Sequence, residues 1–168
     1  MFVDTYTSIH SIISLAALAL GPIVILDFFG VRIPAVLTSL FLLLAFLTSA
    51  TGFGFPFNVL LPSHITGVVA LVILAVLGYA RYVGRLRGAW RGVYVSGVVA
   101  SAFLLAFVGI AQAFAKVPAL NALAPTQSEP PFVIAQTVLL VVFVAIGYLA
   151  VRRWRPSVMA PLTPSAAG

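Results

Sequence analysis

His10 and His64 are the two imidazoles of the chain and its strongest candidates for chemistry. A neutral imidazole binds metals and moves protons near neutral pH. His10 stands near the start of one apolar run, and His64 follows Pro62–Ser63 at the start of another. If both runs are helices that enter a membrane from the same side, a rise of about 1.5 Å per residue brings the two rings within about 6–8 Å of the same depth. That placement predicts one six-coordinate haem b between the two helices, with His10 and His64 as iron ligands. Gly67, one turn beyond His64, would let the porphyrin plane approach. Lys116 would pair with a propionate, and the Phe53–Phe57 stretch would shield one edge. The competing reading leaves both histidines at the water interface, hydrogen-bonded to loop backbone. A non-haem metal held by the two histidines with Asp4 or Glu129 has no spacing signature behind it.

A second polar group lies in Leu123–Phe132, which reads LAPTQSEPPF. Gln112, Gln127, Glu129 and Gln136 would line a pocket for a quinone head group or a small solute. Equally, Glu129 would salt-bridge Lys116 while the prolines shape an ordinary loop. Asp27, close to Arg32, reads as an interfacial ion pair more readily than as part of a proton path.

Much chemistry is excluded. The chain has no cysteine, so disulfides, thiolate-held clusters, covalent haem attachment and cysteine nucleophiles are ruled out. It has no P-loop, GxSxG, HExxH or CxxC pattern. Its acids are Asp4, Asp27 and Glu129, too few and too scattered for paired-carboxylate catalysis. Ser63 beside His64 is sequence adjacency, not triad geometry. An enzyme is therefore disfavoured. The net charge of +6 does not point to nucleic acid, because the arginines sit at segment ends and form no patch interleaved with stacking aromatics.

The elements that must position these residues are helices in a bilayer. Of 168 residues, 62% are hydrophobic and 7% charged; soluble domains carry roughly 25% charged residues. Five runs reach the ~20 apolar residues that a spanning helix needs: 8–29, 33–51, 63–82, 92–115 and 132–151. None alternates as a barrel strand does. Gly30 and Pro34 break the first from the second, Gly54, Pro56, Asn58 and Pro62 the second from the third, and Gly84 and Gly88 the third from the fourth. Pro118, Pro125, Pro130 and Pro131 fill the longest loop, and Pro22 is placed to bend the first helix. The N-terminal stretch has no basic residue, so the first run reads as a permanent helix and not a signal peptide.

With five spans, Arg32, Arg81, Arg85, Arg87, Arg91, Arg152, Arg153 and Arg155 all fall on one side and Lys116 on the other. The positive-inside rule makes the arginine side cytoplasmic and puts the N-terminus outside. Tyr82, Trp90, Tyr94 and Trp154 then read as interfacial anchors. Small residues mark helix contacts in lipid. They are Ser14, Ala17 and Gly21 in the first helix, Gly67 and Gly78 in the third, Gly147 in the fifth, and two stripes in the fourth, Gly92–Ser96–Ala100 and Gly97–Ser101.

The segments TGFGFP (Thr51–Pro56), LPSHITG (Leu61–Gly67), QAFAKVPALNALAPTQSEPPF (Gln112–Phe132) and the final arginine cluster resemble those of a group of small integral membrane proteins from proteobacteria. The resemblance implies a bacterial inner membrane and no particular activity. The expectation is thus an all-α, multi-pass bundle over 1–155, with a disordered cytoplasmic tail over 156–168. Its surroundings are the lipid bilayer and, through the small-residue faces, another membrane protein. Three functions stay open: a small redox protein with haem b or a quinone near the outer face, a non-catalytic accessory subunit, and a small-solute carrier.

Overall fold

The computed structural model describes residues 2–55 and 62–154, and these are helical with no strand among them. Six helices follow in order: α1 Phe2–Asp27, α2 Ala35–Gly52, α3 Pro62–Tyr82, α4 Ala89–Lys116, α5 Pro118–Leu123 and α6 Pro130–Arg153. Five of them, all but α5, are long and apolar enough to cross a membrane.

The breaks follow from local chemistry. After α1 the chain turns at Gly30, whose φ of +95° is open to glycine at little cost. Pro34 stands in extended backbone just before α2, as a ring without an N–H should. Pro118 and Pro130 occupy the first turns of α5 and α6, where a missing N–H leaves no bond unmade. Helix α1 continues through Pro22. Helix α1 begins six residues earlier than its apolar run alone indicates, because its polar first turns, Asp4–Ser8 among them, are helical too, whereas α2 begins two residues later than its run. The segment expected as one long loop contains α5, whose Ala119, Leu120, Ala122 and Leu123 are good helix formers. The tail over 156–168, Arg155, Phe57 and Asn58 lie outside the described residues.

Helix α4 is the hub. Helices α1 and α3 lie on it with at most slight contact between them, α2 bridges them on the far side, and α6 joins almost entirely through α4. The core reflects this: Tyr94, Val95, Val98, Val99, Ser101 and Ala102 of α4 are buried against Val24, Phe28, Phe41, Leu77 and Ala80. Lipid gives no hydrophobic drive between helices, so close packing must hold them. A Cβ on Gly21 would lie 3.2 Å from the Ala102 methyl, one on Gly97 2.8 Å from Leu77 Cδ2, and one on Gly147 3.6 Å from Val99. The Gly97–Ser101 stripe of α4 is thus a contact surface. Ser96, on the neighbouring stripe, is exposed. Gly78 is no contact at all, with nothing within 4 Å of its Cβ position.

Candidate functional site

The antiparallel packing divides the polar residues between two ends. The loop-bearing end gathers His10, Thr51, Phe53, Phe55, His64, Lys116 and the 124–129 loop. The opposite end gathers Asp27, the α3–α4 link, Tyr94 and Trp154.

At the loop-bearing end the last turn of α2 is interposed between the histidines. His10 Nδ1 lies 2.8 Å from Thr51 Oγ1. The Thr51 hydroxyl donates its proton to the Leu47 carbonyl at 2.6 Å, so it can only accept from the imidazole. That fixes the neutral ring as the Nδ1–H tautomer and leaves the Nε2 lone pair without a hydrogen-bond partner among the described residues. Phe55 stands edge-on to His10, with ring centroids 5.2 Å apart, and edge-on to Tyr6 at 5.1 Å. The Tyr6 hydroxyl donates to the Thr51 carbonyl. His64 is buried, and its ring lies 6.0 Å from that of Phe53, tilted by 30°.

The expected haem clamp does not fit this packing. The face that Gly67 was to leave open is covered by the Phe53 ring, two of whose atoms lie 3.2 Å from the Gly67 Cβ position. His10 is turned onto Thr51 and Gly52, not toward α3. Phe53 lies against His64 and Phe55 against His10. Among the described residues no three His, Asp or Glu side chains group as metal ligands. Lys116 is exposed and near enough to His10 for their charges to interact.

The glutamines serve packing. Gln127 Nε2 donates to the Ala111 carbonyl at 2.8 Å, and Gln136 Nε2 to the Phe107 carbonyl at 3.0 Å. Both bonds tie α6 and its preceding loop to α4. Gln127 adopts φ +59° to make its bond, a conformation side chains seldom take. Phe114 against Phe132, edge-on at 5.3 Å, continues the same seam. Gln112 faces outward. The set does not converge on a common pocket.

Glu129 caps its own loop. Its carboxylate accepts from the Thr126 N–H at 3.2 Å, the Thr126 hydroxyl at 2.8 Å and the Ser128 N–H at 3.1 Å. These bonds, and not Lys116, hold it. Slight desolvation pushes the carboxyl up, but the bonds from Thr126 and Ser128 outweigh it and hold the group below its ordinary value. A depressed carboxylate stabilises the fold above its unfolded value and ceases to do so as pH falls through its folded one. The amides of Thr126 and Ser128, measured relative to an unfolded peptide at the same pH, should therefore be protected from exchange at neutral pH and lose that protection on acidification below the usual glutamate range. Glu129→Gln should show the low protection at every pH.

The arginine-bearing end is more ordered than its residue types foretell. Tyr94 is not a surface anchor, whereas Trp154 is partly exposed. Tyr94 is buried, its ring stacked on Trp154 at 6.0 Å, and Trp154 meets Phe28 edge-on at 5.4 Å. Arg91 donates to the Trp154 carbonyl, fastening the end of α6 to α4. Arg81 Nη1 donates to the Tyr94 hydroxyl at 2.9 Å. Asp27 accepts from the Ile33 N–H at 3.4 Å, not from Arg32. Arg81, Tyr94 and Asp27 line one cavity of about 110 Å³. Sequence reasoning missed this cluster because the three residues belong to three helices with no motif between them. The signal present was a tyrosine thirteen positions from an arginine, across a link short enough to fold back on itself.

No protein-family model, curated protein or solved structure matches the chain.

Proposed function

We propose that this chain is a non-catalytic subunit of a larger assembly in the bacterial inner membrane. In this reading it crosses the membrane five times, with the N-terminus outside and the arginine-bearing end in the cytoplasm. The observation that carries it is the position of α6. This span is fastened to one helix, α4, along a single seam of Gln136, Phe143 and Gly147. Its opposite face, with Val141 63% exposed, is not covered by any other of the described residues. A span held along one side offers the rest of its surface to a neighbouring helix. The alternatives have less support: Thr51, Glu129 and Gln127 at the loop-bearing end bond to local backbone or to neighbouring side chains, Thr48 Oγ1 is buried without a partner, and among the described residues no line of polar residues follows a helix interior as a carrier would need.

The absence of cysteine from the sequence makes the test clean. Val141→Cys on α6 and Val72→Cys on α3, both exposed, each carry a single thiol. Bifunctional thiol–amine cross-linking in native membranes should give a discrete higher-mass species from Val141→Cys, present in greater yield than any from Val72→Cys. Equal labelling of both positions by lipid-phase reagents with no cross-link at either would defeat the reading. So would a haem Soret band in the purified protein that His10→Ala removes.

A further inference from the structure

Arg81 lines two cavities at once. One is the inner cavity shared with Tyr94 and Asp27. The other is a groove of about 280 Å³ between α2 and α3, walled by Leu43, Phe46, Leu74 and Leu77 and passing over Gly78 to Arg81 and Tyr82. Leu43 and Phe46 are about half exposed, so the groove opens outward from the spans, where bilayer hydrocarbon lies. Its floor is open because Gly78 has no side chain there.

The guanidinium has five N–H donors. One goes to the Tyr94 hydroxyl, and among the described residues no carboxylate pairs with the group. Asp27 faces it across the inner cavity and accepts from the Ile33 N–H. A cation at the end of a membrane span is stabilised by an anion that satisfies its remaining donors. An apolar channel that ends on such a cation matches a molecule with an alkyl chain and an anionic head.

We infer that the α2–α3 groove seats one acyl chain of an anionic phospholipid, with the lipid phosphate on Arg81. Basic pockets between spans bind lipid head groups in this way. The other arginines of this end attract anionic lipid generally and in a salt-screened fashion. The groove with Arg81 adds a bound, chain-in position. The site is independent of whether α6 meets a partner.

The test uses the full chain in a neutral detergent, with native mass spectrometry and thermal unfolding. Phosphatidylglycerol, phosphatidylcholine and inorganic phosphate are each added. Phosphatidylglycerol should remain bound as a one-lipid adduct and raise the unfolding temperature; the other two should do neither. Gly78→Leu places a side chain where no atom lies within 4 Å, so it should fill the groove without disturbing the fold. Adduct occupancy should fall by about tenfold or more, the size of one lost charge-assisted contact. Arg81→Gln should do the same, and Tyr94→Phe, which keeps the guanidinium, should retain the lipid. Wild-type lipid binding by Gly78→Leu overturns the inference even if Arg81→Gln does not fold. An equal thermal shift from inorganic phosphate also overturns it, by assigning the site to a soluble anion.

Discussion

Gly97→Leu should prevent α3 from seating on α4 and cost about 3 kcal/mol or more, at the upper end of what overpacking does. A Cβ at this position would stand 2.8 Å from Leu77 Cδ2 and 2.9 Å from its Cγ. Leu77 is itself 2% exposed, so its branch must leave its packed position toward the groove that it walls. The larger part of a leucine at position 97 then holds the helices apart, and in lipid nothing but contact draws them together again. The expected result is a loss of monodisperse protein on size exclusion in mild detergent, with a sharply lowered unfolding temperature in whatever survives. Gly78→Leu is the control, since the same substitution on the facing helix meets open space. If both variants behave alike, the α3–α4 interface is not packed as described.

Phe41→Ala should be nearly as damaging, at about 3 kcal/mol, and Phe41→Leu should recover roughly half. Phe41 is fully buried in α2 and fills the space beside Gly21, whose Cβ position lies 3.5 Å from its ring. Removing the ring leaves a void that Gly21 cannot fill, and the flanking Val24 and Ala102 are fixed by their own packing. Reversible unfolding in mixed micelles measures the loss. A Phe41→Ala variant as stable as the parent would mean that α2 collapses freely onto α1, contrary to a jigsaw interface.

The spans were legible because their physical cause is local. A stretch such as Val133–Val151 is apolar in itself, and arginines fall where it stops. Helix α5 escaped notice because six residues make no periodic pattern and three nearby prolines spoke for loop. Both histidines lie at the loop-bearing end, yet their partners were not visible in the sequence. Whether His10 meets His64 or Thr51 depends on the register of α2 against α1, which no spacing in the sequence encodes. Gly97 and Gly78 show the same limit. Both are small residues in apolar runs, and only the packing tells a contact from a groove. Tyr94 looked like an interfacial tyrosine beside arginines, and proved a buried one because Trp154 returns from the far end of the chain to cover it.

The central place of α4 has a consequence for biogenesis. Ribosomes deliver α1, α2 and α3 before α4 exists. Those three therefore enter the bilayer as an open row, joined through α2, with the faces around Gly21 and Leu77 uncovered. Closure waits for residues 89–116, and α6 can dock only on what α4 has already completed. A lesion in α4 thus strikes every later and earlier span together, whereas one in α6 spares a closed four-span unit.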